Sequence, residues 1–419
     1  MTFHRNMNYG LVTLLILVFL PLQVLASNAP EISLPRHRLL AEEIGVIVND
    51  EDPLSVRIAN YYQQARNIPA SNLIHVRFKP GSQKLSQKLF AQIRNQSNSQ
   101  LNNSIQALAL TWALPYRVDC MSITSAFTFG FDKTYCSSRT CAATRYSPYY
   151  KSKSTAPFSD HKIRPAMAIA ATDFESARQL IDRGIRADKS HPNGTAYLLH
   201  TSDKNRNVRA RFFQHIKRLF SPLLNIEVLH RNSIQSRNDV MFYFTGLTKI
   251  PHLPTLSFLP GAVADHLTST GGALDGTKQM SALRWLEAGA TGSYGTVVEP
   301  CNLLGKFPNP GLLLENYLSG QSLIEAYWKS VQQPGEGLFI GDPLAAPYDG
   351  FQVESNTNEI TLTTHILQPG MYNILTAPNP VGPYQRLAKP LTVYPRQTSI
   401  KLPKTNHGYY AIKTLERMR

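Results

Sequence analysis

Four side chains with reactive chemistry fall in two short stretches of this sequence. Asp265 and His266 lie in the Gly-rich stretch 259–272, and Glu299 and Cys301 lie in the stretch 292–302. A cysteine becomes a nucleophile when a neighbouring histidine or cation stabilises its thiolate, and a carboxylate can orient the histidine. Asp265, His266, Glu299 and Cys301 are therefore candidate catalytic residues of a hydrolase.

Each candidate also has a purely structural interpretation. Asp265 and His266 are adjacent, so their side chains cannot easily form a pair, and Asp265 is a residue type that favours helix N-caps. His266 then packs in the interior. Cys301 forms a disulfide if the protein folds in an oxidising compartment. The catalytic and the structural interpretations both remain open from the sequence.

Other common sites are absent from the sequence. Residues 271–278 resemble a phosphate-binding loop, but Thr277 precedes Lys278, whereas that loop needs Gly-Lys-Ser/Thr. The metalloprotease pattern HExxH and the nucleophile pattern GxSxG do not occur. No histidine lies at zinc-ligand spacing beside the cysteines. We predict no metal and no cofactor.

The first 26 residues have the pattern of a secretory signal peptide. His4 and Arg5 precede an apolar stretch, 11–22, and Val24-Leu25-Ala26 gives small residues at a cleavage site. The apolar stretch is shorter than the ~20 residues of a spanning helix. We predict an exported protein, periplasmic or extracellular, with no transmembrane segment after cleavage.

The formal charge of +15 predicts an anionic partner or, more simply, a solvated basic surface. Export favours an anionic envelope polymer, or a protein, over nucleic acid. The four cysteines allow three pairings. We expect at least one disulfide, first Cys136–Cys141 by local spacing and second Cys120–Cys301.

The elements that must position these residues alternate between strands and helices. Strands are predicted at 44–48, 73–78, 105–112, 166–171, 195–200, 226–229, 241–244 and 291–298. Helices are predicted at 54–65, 176–186, 208–220, 280–288 and 312–331, the last one helix or two broken at Gly320. This alternation predicts an α/β fold with a mostly parallel sheet and helices on both faces.

The predicted organisation is a signal peptide and three further regions. A first α/β half at 27–165 contains a cysteine-bearing insertion at 113–165, and a second α/β half spans 166–350. Short alternating strands at 351–419 predict a small C-terminal β-sandwich. In open α/β sheets, ligands bind beyond the carboxyl ends of the strands, where the four candidate residues are expected.

Several segments together resemble an uncharacterised family of exported bacterial proteins. The matching segments are 44–49 (IGVIVN), 59–62 (ANYY), 111–116 (TWALPY), 264–269 (ADHLTS), 289–295 (GATGSYG), 299–302 (EPCN), 325–330 (EAYWKS) and 337–343 (GLFIGDP). The resemblance covers roughly residues 40 to 350. It implies export and carries over no activity.

A more distant resemblance, in the order of strands and Gly-containing turns, is to the gingipain-type cysteine peptidases of caspase-like fold. That family places a catalytic His in a Thr-Gly-His-Gly turn after one strand and a catalytic Cys after the next. Here the turns read 244–248 (FTGLT) and 257–261 (SFLPG), so Leu247 and Pro260 stand at those positions. The resemblance implies a caspase-like sheet followed by an immunoglobulin-like domain.

The same resemblance implies that the peptidase chemistry has been lost, because neither Leu247 nor Pro260 can act as a base or a nucleophile. Leu247 and Pro260 should then lie close together, at the carboxyl ends of neighbouring strands. The leading hypothesis is a catalytically degenerate peptidase-like domain that binds a cell-envelope partner. The alternative is an envelope hydrolase that uses a rebuilt site around Asp265, His266, Glu299 and Cys301.

Overall fold

The structure is a computed structural model that describes residues 1–2, 30–137, 141–276, 278–387 and 389–415. The predicted signal peptide lies almost entirely outside these ranges. Inside them, no helix combines the length and the apolar character that crossing a bilayer requires. The described chain is a mixed α/β protein with several sheets.

A ten-stranded sheet forms the centre of the molecule. In chain order its strands are β1 (Ile44–Asn49), β2 (Leu73–Val76), β3 (Ala107–Leu110), β4 (Ala166–Ala168), β5 (Thr195–Leu199), β6 (Asn225–Leu229), β7 (Arg237–Thr245), β8 (Leu256–His266), β9 (Gly292–Thr296) and β10 (Gly337–Gly341). Their order across the sheet is β6-β5-β7-β8-β9-β10-β4-β3-β1-β2. Most are short apolar strands buried on both faces, as parallel strands usually are.

All neighbouring strands of this sheet are parallel except β9 and β10, which are antiparallel. The sheet therefore has two parallel halves that run in opposite directions. The first half contains β1–β4 and β10, and the second contains β5–β9. We expect the strands at 44–48, 105–111, 166–170, 241–245 and 291–298 to be largely parallel. They are parallel within each half, but the last two run opposite to the first three.

Nine α-helices lie in the described residues. They are α1 (Pro53–Ala65), α2 (Gln87–Asn98), α3 (Ile123–Phe129), α4 (Pro157–His161), α5 (Phe174–Ala187), α6 (Phe213–Phe220), α7 (Leu283–Glu287), α8 (Pro310–Leu318) and α9 (Leu323–Ser330). Asp52 caps α1, its carboxylate accepting from the Leu54 amide at 2.9 Å, with Pro53 at the first helical position. Asp173 caps α5 in the same manner.

The predicted helix at 312–331 is a hairpin of two helices, α8 and α9. Gly320 has a φ of +80° between them, a conformation that suits glycine at a helix end. One helix would carry the chain to the opposite edge of the sheet, whereas a hairpin returns it to the edge it left. Thr296 at the end of β9 therefore pairs with Gly337 at the start of β10. This hairpin makes β10 antiparallel to β9.

The two faces of the second half are covered differently. Alternation along β5, β7 and β8 places Ala196, Phe242 and Val263 in the large core with residues of α6 and α8. On the opposite face, the strand residues Tyr197, Tyr243 and Ala264 form a separate core with Trp285 of α7. Ile234, Ile250 and Leu253, which lie between strands, complete this core. Loops 230–236 and 247–255 thus cover much of this face.

The C-terminal residues form two further sheets. One contains Phe351–Ser355, Glu359–Thr364 and Ser399–Pro403, and the other contains Gly370–Ala377, Gln385–Arg386, Leu391–Val393 and Tyr409–Thr414. Buried side chains from both sheets make one core. The strand Glu31–Ser33 pairs in parallel with Tyr409–Thr414, so this part of the predicted first half belongs to a C-terminal sheet.

All four cysteines are in disulfides, but both predicted pairings are wrong. The bonds join Cys120 to Cys136 and Cys141 to Cys301. Cys141 is close to Cys136 in sequence, but the insertion runs along the edge of the sheet and brings Cys141 to the loop after β9. Two disulfides are typical of a protein that functions outside the cytoplasm.

Candidate functional site

The carboxyl edge of the second half carries a polar cleft. Strands β7, β8 and β9 end there at Thr245, His266 and Thr296, and the loop 200–207 follows β5 at the same edge. The cleft has a volume of about 260 Å³. Its lining residues come from the loops after β5, β8 and β9: Asn205, Arg206, Leu267, Thr268, Ser269, Glu299, Cys301 and Asn302.

Arg206 is the cation of this cleft. Its Nε donates to Thr268 Oγ1 at 3.2 Å, and its Nη1 donates to Asp203 Oδ2 at 3.0 Å. Thr268 Oγ1 in turn donates to Gln279 Oε1 at 2.7 Å. These contacts hold Arg206 across the loops after β5 and β8.

Gly246 explains why the loop 201–207 lies so close to the end of β7. A Cβ atom on Gly246 would lie 1.9 Å from the Arg206 carbonyl oxygen, so only glycine allows this approach. Thr201 Oγ1 also donates to the Gly246 carbonyl at 2.7 Å. The Thr-Gly turn after β7 thereby positions the loop that carries Arg206.

His266 is buried, and both of its ring nitrogens are hydrogen-bonded. The Trp285 indole N–H can only donate, so Nδ1 accepts from it at 2.9 Å. Nε2 therefore carries the proton and donates to the Met280 carbonyl at 3.0 Å. Burial lowers the pKa of His266 to about 3, against an ordinary value of 6.5. This imidazole is held neutral, with neither nitrogen available to a substrate.

Asp265 is also buried, but it faces the other side of the sheet. One carboxylate oxygen accepts from the Arg209 guanidinium at 2.5 Å, and both side chains are almost completely buried. Arg209 also donates to the Thr245 carbonyl at 2.9 Å. Burial raises the pKa of Asp265, and the cation of Arg209 opposes that shift. The pair ties the segment before α6 to the ends of β7 and β8.

Glu299 and Cys301 lie at the cleft itself. Glu299 is exposed, and its Oε1 accepts from the Cys301 amide at 2.7 Å, a turn contact within one loop. The sulfur of Cys301 is bonded to Cys141 and has no thiol to ionise. A cysteine and histidine dyad requires a free thiol beside a histidine nitrogen. The His266 nitrogens bind Met280 and Trp285 instead, so the structure does not bring this dyad together.

Leu247 and Pro260 do not occupy matching positions, and that prediction is wrong. Leu247 follows the end of β7, but Pro260 lies inside β8, which continues to His266. Thr245 pairs with His266, so the end of β8 is six residues beyond Pro260. At ~3.3 Å per residue this separates Pro260 from the carboxyl edge by roughly 15–20 Å, allowing for a bulge.

Sequence reasoning did not identify Arg206, Arg209, Gln279 or Asn302. The helix predicted at 208–220 contains several basic residues, but no local pattern shows which of its arginines pairs with a buried aspartate of a distant strand. Among the described residues, no group of three or more His, Cys, Asp or Glu side chains is arranged to hold a metal ion.

No family model and no curated protein matches the chain. Two solved structures are similar at 10% sequence identity. One, described as the structure of a protease, has a TM-score of 0.38, with 87% of this chain and 97% of that chain covered. The other, a complex of the pro- and mature domains of RgpB from Porphyromonas gingivalis, has a TM-score of 0.41, with 87% and 93% covered.

Proposed function

We propose that this chain is an exported binding protein of the cell envelope, periplasmic or extracellular, on a caspase-like α/β scaffold that does not act as a cysteine peptidase. One observation carries the proposal. At the carboxyl edge of the second half, the sulfur of Cys301 is in a disulfide, and both ring nitrogens of His266 are in buried hydrogen bonds. The cleft keeps polar side chains but lacks a free thiol paired with a histidine.

The proposed scaffold is supported by the two parallel half-sheets and by the C-terminal sheets that share one core. We take that C-terminal unit to be an immunoglobulin-like β-sandwich. The alternative, a hydrolase rebuilt from Asp265, His266, Glu299 and Cys301, lacks the geometry it needs. Asp265 and His266 project from opposite faces of β8, so they cannot act on one substrate atom.

A thiol-reactive peptide probe tests this proposal on the oxidised protein. We expect no labelling of the wild type. Cys141→Ser frees the Cys301 thiol, which should then react no faster than a thiol in the urea-unfolded protein. The double variant Cys141→Ser/His266→Gln should label at the same rate, because His266 does not contact this sulfur. Labelling of the wild type, or rapid labelling that depends on His266, would contradict the proposal.

The partner we propose is anionic. Residues 200–252 contain nine Lys and Arg against three Asp and Glu. Arg209 is neutralised by Asp265 and Arg206 contacts Asp203, but Lys204, Lys217 and Arg218 are exposed. A concentration of positive charge attracts anionic polymers through long-range electrostatics that salt screens.

Binding to dextran sulfate, with neutral dextran as the reference polymer, tests the partner class. Changing Lys204, Lys217 and Arg218 together to Gln should weaken binding and reduce its salt dependence. The matched control changes Lys79, Lys84 and Lys88 to Gln, three exposed lysines of the first half with the same total charge. An equal loss in both variants, or equal binding of neutral dextran, would count against a localised anion-binding surface.

A further inference from the structure

A second cavity opens on the loop-covered face of the second half. Its volume is about 460 Å³, within the range of about 300–1,000 Å³ that small-molecule sites usually have. The segment 230–236, which crosses from β6 to β7, supplies most of its lining. Seven of its eight lining residues are polar, and four are basic: His230, Arg231, Arg237 and His252.

The walls of this cavity are held in place by packing. Ile234 is 2% exposed and belongs to the core on this face, together with Tyr197 and Tyr243. The His230 ring stacks on His200 with centroids 4.7 Å apart. The Arg237 guanidinium lies over the Tyr197 ring at 5.6 Å. Ile234 therefore anchors the crossing segment, whose basic residues His230 and Arg231 are exposed to solvent.

A hydrogen bond orients one neutral wall residue. The side-chain oxygen Oδ1 of Asn232 accepts from the Ser202 backbone amide at 2.9 Å and from the Ser202 hydroxyl at 3.1 Å. Because the oxygen is occupied, the amide NH₂ of Asn232 is left as a donor. Ser202 also belongs to the loop 200–207, so the cavity and the cleft share one supporting loop.

The positive charge of the cavity is only partly balanced by nearby carboxylates. Glu227 forms an ion pair with Arg237 at 3.8 Å. In the described part of the chain, no carboxylate lies within 4.0 Å of Arg231. A guanidinium in this situation can bind an oxyanion through two parallel hydrogen bonds.

We propose that this cavity binds an anionic sugar unit, one that bears a phosphate, sulfate or carboxylate group, within an envelope polysaccharide. Arg231 and Arg237 contact the anionic group, and Asn232 and its polar neighbours contact the hydroxyl groups. The nearly complete polar lining does not suit an acyl chain. The inference deepens the proposed binding function, since it names the ligand class and a site for it.

Isothermal titration of the oxidised protein at low ionic strength provides the test. The ligands are glucose 1-phosphate, glucuronate and glucose, so that the two anions identify the preferred group and the neutral sugar is the reference. Both anions, or one of them, should bind in the millimolar range or tighter, and glucose should not. Arg231→Gln should weaken binding about 10- to 100-fold, the effect of losing one charge-assisted hydrogen bond.

Lys88→Gln is the matched control, because it removes one positive charge from the exposed surface of α2 in the first half, outside the proposed anion-binding surface. It should leave the affinity within about twofold, since a screened distant charge contributes little. Binding of neither anion by the wild type would overturn the inference, as would equal losses in the two variants. Dextran sulfate binding and the absence of thiol labelling would be unaffected by that failure, so the proposed function is tested separately.

Discussion

The neutral, buried state of His266 predicts how stability depends on pH. Because burial lowers the pKa of His266 to about 3 from 6.5, the unfolded chain takes up a proton at a higher pH than the folded protein does. The stabilisation is complete above pH 6.5 and is lost progressively as pH falls from 6.5 towards 3. At about pH 5, 1.5 units below the ordinary value, the loss is ~2 kcal/mol at 1.36 kcal/mol per unit.

Replacing His266 by Gln should remove this pH dependence. An amide does not titrate, and it can still donate to Met280 or accept from Trp285. Urea unfolding at about pH 7.5 and about pH 5 gives the change in free energy of unfolding for each protein. His365, whose pKa is also lowered by burial, contributes in the same direction, so the wild-type change includes both residues.

The difference between the wild type and His266→Gln isolates the residue. We expect the drop in unfolding free energy between the two pH values to be ~2 kcal/mol smaller in the variant. His215→Gln, an exposed substitution on α6, should show the drop of the wild type. An unchanged drop in His266→Gln would mean that the imidazole is protonated or solvated in the folded protein, and would refute the structural role assigned to it.

Three further substitutions have expected effects on urea unfolding. Asp265→Ala leaves the buried Arg209 guanidinium unpaired and should lower the free energy of unfolding by about 3–5 kcal/mol. Glu287→Ala removes one partner of an exposed ion pair and should lower it by less than about 1 kcal/mol. Equal losses in the two variants would contradict the burial argument. Changing Cys141 and Cys301 together to Ser removes a cross-link between residues 160 positions apart and should lower the free energy of unfolding by up to ~5 kcal/mol. An unchanged free energy of unfolding would show that the bond is not formed. Gly246→Ala should cost about 1–3 kcal/mol by forcing two backbones apart, and a neutral result would mean that the turn can adjust.

Strand β8 shows where sequence reasoning failed. The stretch 259–272 is polar and Gly-rich between apolar segments, a composition that predicts a loop beside a strand end. The structure places both residues in a bulge, where the register moves from Val240–Phe258 to Phe242–Val263 and Gly261 has a φ of +85°. Proline and glycine are tolerated in a strand at such bulges. The turn expected at 257–261 is therefore a bulge inside β8, a strand that is not among those predicted from the sequence.

Most other strands of the large sheet were predictable, because short apolar runs such as 44–48 and 195–200 are typical of strands buried on both faces. β10 was missed, since five residues between a helix and a Gly-Asp-Pro turn give little periodicity. The direction of β10 depended on whether 312–331 was one helix or two. The sequence around Gly320 is compatible with one helix or with two. The packing of the hairpin in the structure shows that there are two.

The insertion at 113–165 covers one side of the cleft. Lys306 and Glu336, both fully buried, pair at 2.7 Å, and the Ser137 amide donates to the same Glu336 carboxylate at 2.7 Å. The Cys141–Cys301 bond fixes the insertion a second time at this edge. The edge near β9 and β10 is therefore covered by the chain's own residues.

The loop 200–207 lies on the other side of the cleft, and it adjoins both proposed binding regions. Arg206 lines the cleft, and Ser202 holds Asn232 at the wall of the second cavity. Lys204 lies between them in sequence and is exposed. Under the proposed function, a polymer chain that occupies both regions is bound more tightly than a ligand that occupies one of them, so we propose a polymer and not a free sugar as the partner.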